Sequence, residues 1–234
     1  MKKLKLYALL FFLATFVACS KSDAENQGGK KSPPIMWYGP KTFIVKYDKE
    51  GMETGTVTLY SKNHGWEEAK IENTVFTPPV NIPGMDLTQK RNIVTIRKGE
   101  WTWVIDPDAG TGRKIPTPLF EQLKGKDLEK VGEEMMKAMG GEKIGQEEFL
   151  GKMCGVWENK NLGTRILLWK NIILKSKTDL RGMNATVIAT ELQVGVKIPE
   201  EPFNILSKWQ ITEDEDAGDP LKMLEKMKKG YKKN

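Results

Sequence analysis

Histidine and cysteine are scarce in this sequence of 234 residues, which contains one histidine and two cysteines. Zinc, haem and iron–sulfur sites depend on these side chains, so the sequence offers little material for a metal centre. The chain also lacks a glycine-rich phosphate loop opening a helix and the Gly-x-Ser-x-Gly turn of serine hydrolases. We therefore expect no metal, no cofactor and no enzymatic activity.

Weak candidates for chemistry have simpler interpretations. His64 lies in a sequence typical of turns and has no second histidine as a partner, which favours a surface role over a catalytic one. Asp106–Gly112 superficially resembles a calcium loop, but it lacks the third acidic side chain, so a tight turn is favoured. Cys154 has apolar neighbours, which predict a buried small side chain over a reactive thiol.

Residues 1–18 have the composition of a signal peptide. Three lysines among the first five residues precede an uncharged apolar run that is too short for a membrane span of about 20 residues. The run ends in Phe16-Val-Ala-Cys19, which resembles the bacterial lipobox, and this resemblance implies that Cys19 carries a lipid. Ser20 after the cysteine then favours the outer membrane, facing the periplasm. An ordinary secretory signal cleaved nearby is the alternative.

Composition also divides the rest of the chain. We assign residues 19–40 to a flexible tether, 41–211 to a folded domain and 212–234 to a charged tail. No dense basic stripe with interleaved aromatic residues occurs in the domain, so nucleic acid is not an expected partner. The tail carries six lysines on a predicted short helix, and contact with anionic lipid head groups and a frayed, solvated tail are both left open.

Apolar and polar residues alternate along most of the domain, which is the period of β-strands. Ala185–Ile198 is the clearest of these segments. Two helices interrupt the strands, because Pro118 suits the start of a short helix, and Asp127 caps a second that ends at Gly140. Since no long helix separates the other consecutive strands, we predict an α+β, mostly β fold with a mainly antiparallel sheet.

Three segments carry a resemblance to a known family: Gly151–Trp157, Gly163–Lys170 and Ala189–Pro199, the last followed by Phe203. With the order of strands, central helices and final strands, they resemble the LolA/LolB-like superfamily of periplasmic lipoprotein carriers over roughly residues 40–211. The resemblance implies an incomplete antiparallel β-barrel whose concave apolar face is covered by helices. It also implies a lipid or acyl chain as the ligand of that cavity.

Large, soft apolar side chains are the candidates for lining such a cavity, since the chain has seven tryptophans and eleven methionines. Residues two apart in a strand share a face, and residues four apart share a side of a helix. The candidate ligand-binding residues are Trp101, Trp103, Ile105, Met135, Met139 and Trp169. The alternative is that these residues simply fill a core.

The resulting prediction is an envelope lipoprotein, held at the membrane through Cys19, that binds a lipid or acyl chain in lipid or lipoprotein trafficking. The alternative is a non-enzymatic module on the same scaffold, with a filled core, that binds an envelope protein partner. A dry, packed interior would favour the second interpretation.

Overall fold

The computed structural model describes residues 35–78, 87–180 and 183–214. The predictions for the signal peptide, for Cys19, for most of the tether and for the tail beyond residue 214 lie outside the described residues. Residues 35–40 of the predicted tether are described, and Ile35 is buried.

Twelve β-strands contain most of the described residues. They are β1 (Phe43–Gly51), β2 (Glu53–Lys62), β3 (Glu67–Phe76), β4 (Gln89–Lys98), β5 (Trp101–Asp106), β6 (Thr111–Pro116), β7 (Glu142–Phe149), β8 (Lys152–Asn159), β9 (Thr164–Trp169), β10 (Ile172–Leu180), β11 (Met183–Val194) and β12 (Gln210–Glu213). Single 3₁₀ turns occupy Asn63–Gly65 and Glu201–Phe203.

The strands form one sheet in the order β12-β6-β5-β4-β3-β2-β1-β11-β10-β9-β8-β7. Every pairing in it is antiparallel except that of β12 with β6, which is parallel. The sheet is open, with β12 at one edge and β7 at the other. The predicted mostly β fold is therefore confirmed, whereas the predicted half-barrel is not.

The central helices are α1 (Phe120–Leu123) and α2 (Leu128–Ala138). The Asp127 carboxylate accepts hydrogen bonds from the backbone amides of Glu129 and Lys130, at 3.0 and 3.3 Å, which confirms the predicted N-cap. Gly140 has a φ of +82° and follows the end of α2, as predicted. Among the described residues, neither helix combines the length and apolar character that crossing a membrane requires.

Most of the buried apolar side chains among the described residues form two clusters. The first core consists of Phe43, Val45, Tyr47, Val57, Leu59, Cys154, Val156, Leu167, Ile172, Leu174 and Ala189, with Tyr38, Phe149, Trp169, Val187 and Leu192 packed against it. The second core consists of Ala69, Ile96, Ile105, Ile198 and Phe203, with Ile44, Tyr60, Val94, Trp103, Val196, Ile205, Trp209 and Ile211 packed against it.

The covering of the sheet by α2 differs from the prediction. Cys154 and Val156 of β8 belong to the first core, and alternation places Asn159 on the other face of that strand. The Asn159 amide donates a 2.7 Å hydrogen bond to the carbonyl of Met139, next to the end of α2. The end of α2 thus lies on the face of β8 opposite the first core, and α2 contributes no buried residue. The predicted helical cover of the concave face is not confirmed.

The last long strand is shorter than the sequence predicts. β11 ends at Val194, and Gly195 has a φ of +73°, a left-handed conformation that breaks the alternation. Its amide donates to the carbonyl of Thr42 at 2.9 Å. Val196 and Ile198, predicted as strand residues, leave the sheet and pack on the second core.

Candidate functional site

The predicted cavity strand β5 has the expected geometry. Trp101, Trp103 and Ile105 lie opposite Lys98, Ile96 and Val94 of β4, and so share one face. Ile105 is fully buried in the second core, and Trp103 packs against that core. The Lys114 ammonium lies 4.3 Å from the centre of the Trp101 ring, a cation–π distance.

This face of β5 belongs to the second core, which the chain itself helps to close. The segment that follows β11 joins the same core through five apolar side chains, which are Val196, Ile198, Phe203, Ile205 and Trp209. Ile198 and Phe203 are buried, and the Lys62 ammonium lies 4.1 Å above the centre of the Phe203 ring. We call residues 196–209 the covering segment.

The other predicted cavity residues lie elsewhere. Trp169 packs against the first core, so the structure does not bring it together with Trp103. Met135 and Met139 are 49% and 51% exposed, and neither belongs to a core. Near them, Glu133 of α2 pairs with Lys143 of β7 at 3.1 Å. The six candidate residues therefore form three separate groups.

A largely buried polar cluster joins residues 37–38 to β3 and β4. The Tyr38 hydroxyl donates to Glu68 Oε2 at 2.7 Å, and Arg97 Nη2 donates to the same oxygen at 2.7 Å. Arg97 also donates through Nε and Nη2 to the carbonyl of Gly65, and its guanidinium lies 4.3 Å from the centre of the Trp37 ring. Burial, followed by the charge of Glu68, raises the pKa of Tyr38 well above its usual value, so the tyrosine stays a neutral donor.

A groove of about 390 Å³ lies beside this cluster. It runs between residues 36–39, the beginning of α2 and the turn from β9 to β10. Its lining residues are Met36, Tyr38, Gly39, Gly125, Lys126, Asp127, Leu128, Glu129, Lys170 and Asn171. Pockets for small ligands measure about 300–1,000 Å³, so the groove falls at the small end of that range. Its lining mixes apolar side chains with both signs of charge.

Sequence reasoning missed the groove because residues 35–40 were assigned to the tether. The run Ile35-Met-Trp-Tyr38, which follows two prolines, was the available signal. Backbone hydrogen bonds fix this run: the Tyr38 amide donates to the carbonyl of His64 at 3.2 Å. The Gly39 amide donates to the carbonyl of Lys170, also at 3.2 Å. The chain therefore enters the fold beside the β9–β10 turn.

The histidine and the described cysteine are both held in structural positions. His64 Nδ1 lies 2.9 Å from the carbonyl oxygen of Gly39 and 3.2 Å from that of Tyr38. Cys154 is buried, and burial followed by the charge of Glu147 raises the pKa of its thiol. Among residues 35–78, 87–180 and 183–214, no group of three or more histidine, cysteine or acidic side chains is arranged to hold a metal ion.

Comparisons with known proteins give structural matches only. No family model matches the sequence, and no curated protein matches it. An uncharacterized conserved protein from Thermus thermophilus is 8% identical, with a TM-score of 0.48, over 75% of this chain and 91% of that one.

Two further solved structures are similar. MucB in the MucA/MucB complex of Pseudomonas aeruginosa is 14% identical, with a TM-score of 0.43, over 73% of this chain. The match spans 58% of that chain. A LolA superfamily protein from Nitrosomonas europaea is 9% identical, with a TM-score of 0.24, over 73% of this chain and 93% of that one. Both of these similarities are of structure at low sequence identity.

Proposed function

We propose that the protein is a non-enzymatic lipoprotein of the bacterial envelope whose folded domain binds a protein partner. In this proposal Cys19 carries the lipid, and the domain faces the periplasm from the outer membrane. The observation that supports it best is the covering segment, because Ile198 and Phe203 are buried in the same core as Ile105, one of the residues expected to line a lipid cavity. The apolar face of an open sheet has to be covered, and in this protein a segment of the same chain contributes to that cover.

A lipid or acyl ligand remains the second candidate function, and the groove is the observation that favours it. Met36 and Leu128 offer apolar contact there, and Lys126 and Lys170 offer positive charge beside the acidic Asp127 and Glu129. A single acyl chain with an anionic end combines these two chemistries. The ligand would then lie beside the chain start and α2, away from Trp103.

Native mass spectrometry of the protein isolated from its own membrane, followed by lipid extraction, separates the two functions. The interaction module predicts no stoichiometric non-covalent lipid. A bound lipid that is lost in Leu128→Gln, a groove variant, would replace the leading proposal with the second one.

Trp103→Leu supplies the matched control for the groove variant. Because Trp103 packs against the second core, its truncation should lower the free energy of unfolding by about 2 kcal/mol and leave any lipid content unchanged. Loss of lipid without loss of stability in this variant would restore the cavity originally predicted around Trp103.

The anchor is tested by intact mass of the membrane-extracted protein, compared with Cys19→Ser. The expected result is an N-terminus at residue 19 that carries acyl mass, and its absence from the serine variant. An unacylated N-terminus elsewhere would leave an ordinary secreted protein.

A further inference from the structure

Two hairpin turns lie side by side at one end of the sheet. Leu150 and Gly151 connect β7 to β8, and Lys170 and Asn171 connect β9 to β10. The turns are neighbours because β8 pairs with β9, with Gly155 opposite Leu168. We call residues 149–153 together with 169–173 the hairpin end.

The turn between β7 and β8 carries an apolar side chain where the backbone disfavours one. Leu150 has a φ of +49° and Gly151 a φ of +67°, and two successive positive values suit Asn-Gly in a type I′ turn. A leucine in the left-handed region is strained, yet its side chain is 40% exposed. Met153 and Ile173 are also exposed close by. Because Leu150 is both strained and exposed, it contributes little to the stability of the fold. This points to a role for the side chain other than packing within the domain.

Lysines at the same end of the sheet contact two aromatic rings that pack on the first core. The ammonium groups of Lys152 and Lys170 lie 5.2 and 5.3 Å from the centre of the half-buried Trp169 ring. Lys175 lies 5.9 Å from the centre of the Phe149 ring. A tryptophan with flanking lysines and exposed aliphatic side chains is the composition found where proteins meet the bilayer interface.

Acidic side chains are fewer at this end. Glu148 lies opposite Met153, and Glu147 on the same strand is paired with Arg165 at 2.7 Å. In the neighbouring groove, Asp127 and Glu129 carry negative charge beside Lys126 and Lys170. Within the hairpin end itself the charged residues are Lys152 and Lys170, so its own balance is positive and complements an anionic surface.

The described chain begins at this end of the molecule. The Gly39 amide bonds to the carbonyl of Lys170, and Met36 lines the groove beside that turn. Cys19 precedes Ile35 by 16 residues. A segment of 16 residues spans at most about 55 Å when fully extended. An anchor at Cys19 therefore keeps the hairpin end within reach of the bilayer.

We propose that the hairpin end docks on an anionic phospholipid bilayer, with Leu150, Met153 and Ile173 entering the interface and Lys152 and Lys170 contacting the phosphates. This inference rests on the proposed anchoring at Cys19, since the tether is what brings the two surfaces together. Insertion at the interface combines buried apolar area with attraction of the lysines to anionic lipid.

The test uses the chain from residue 19 onward with Cys19→Ser, so that no acyl chain contributes. Co-sedimentation is measured with vesicles of phosphatidylcholine containing 30% phosphatidylglycerol and with vesicles of phosphatidylcholine alone. We expect binding to the anionic vesicles that weakens at high salt, and little binding to the neutral ones. Absence of binding to the anionic vesicles would overturn the proposal, whatever the state of the anchor measured by intact mass.

Leu150→Asn tests the apolar tip without harm to the fold, because asparagine tolerates the left-handed turn position. Vesicle binding should fall about threefold to fivefold, while the thermal midpoint stays equal or rises. Leu162→Asn is the matched control, since Leu162 is 44% exposed in the β8–β9 turn at the other end of these strands. Equal losses in both variants, or none in Leu150→Asn, would contradict the proposal.

Lys152→Gln and Lys170→Gln test the charge contribution. Each should reduce binding to the anionic vesicles about fivefold. Lys160→Gln, an exposed position in the β8–β9 turn, should leave binding unchanged. If the three glutamine variants behave alike, general positive charge and not this surface is responsible, and the assignment fails.

Discussion

The first core and the second core differ in what covers them. Around the first core, sheet strands supply nearly all the buried side chains, and Tyr38 packs its ring edge-on against Phe43 with 5.0 Å between ring centres. The second core is closed by the covering segment, whose buried members are Ile198 and Phe203. One is thus built mainly from strands that hydrogen-bond to one another, the other from strands and an irregular segment.

The two cores should differ in the free energy of local unfolding. Within the covering segment the backbone hydrogen bonds are local, such as those from Phe203 to Glu200 and from Trp209 to Leu206. Only after it does β12 pair with β6. Its attachment therefore rests mainly on side-chain burial, and we expect it to open at a lower free energy than the strands around the first core.

The largest expected effect comes from removing an aromatic ring from each core. Phe43→Ala should lower the free energy of global unfolding by about 3–5 kcal/mol, because Phe43 is fully buried among paired strands. Phe203→Ala removes an equally buried ring, yet part of its cost should appear as local release of the covering segment. Chemical denaturation measures the first effect, and amide exchange over residues 196–209 measures the second.

The two variants also differ in what they expose. Release of the covering segment would expose part of the second core, which includes Trp103 and Ile105. Phe203→Ala should therefore bind an apolar dye under native conditions more strongly than Phe43→Ala does, when the two variants are compared at equal residual stability. If both variants unfold in one cooperative transition with unchanged exchange of the covering segment, the two cores form a single cooperative unit.

Local signals in the sequence predicted α2 well and the edge strand poorly. Asp127 and Gly140 are short-range caps, and the helix between them follows. β7 was missed because an edge strand that is mostly exposed, with Glu142, Glu147 and Glu148 among its eight residues, has no apolar alternation to read. Its pairing with β8 depends on a partner, which a local pattern does not encode.

The same limit applies to the candidate site. The shared face of Trp103 and Ile105 follows from alternation and is observed, but the segment that covers it is more than 90 residues away in sequence. Gly195 turns Val196 and Ile198 out of the sheet, and only the tertiary fold shows that they then join the core that contains Ile105. Whether a ligand or a distant segment of the chain covers an apolar face depends on long-range contacts. The pattern of a single sequence does not show those contacts.

Residues 35–40 help to cover the first core through Tyr38. Tyr38 packs on that core, and its hydroxyl donates a hydrogen bond to Glu68. The Glu68 carboxylate also pairs with Arg97 at 2.7 Å. The Glu68 side chain is 12% exposed and that of Arg97 is 14% exposed. Glu68→Ala leaves two donors without their acceptor, so stability should fall by about 2 kcal/mol. Amide exchange should rise at residues 35–40 and stay unchanged in the covering segment. Equal exchange in both regions would show that the cores are not independently covered.

The smallest expected effect is a loss of stability at acid pH, caused by ion pairs on the face of the sheet that carries the first core. Lys49 of β1 lies 2.8 Å from Glu53 and 3.1 Å from Glu72, and Glu72 also pairs with Lys70 at 2.7 Å. Burial opposes ionisation of both carboxyl groups, but the hydrogen bonds and charges of the lysines outweigh it and hold the pKa of Glu53 and of Glu72 below the usual 4.5.

A carboxyl group whose pKa is lowered by folding stabilises the protein above its unfolded-state pKa and loses that contribution as pH falls through the folded value. Stability should therefore decline below about pH 4.5, by on the order of 1 kcal/mol for a partly exposed pair. Glu72→Gln should flatten this part of the pH profile. Lys62 pairs beside Phe203 with Glu200, which is 81% exposed, so Glu200→Gln should leave the profile unchanged. A flattening in Glu200→Gln as large as that in Glu72→Gln would remove the electrostatic distinction between the two cores.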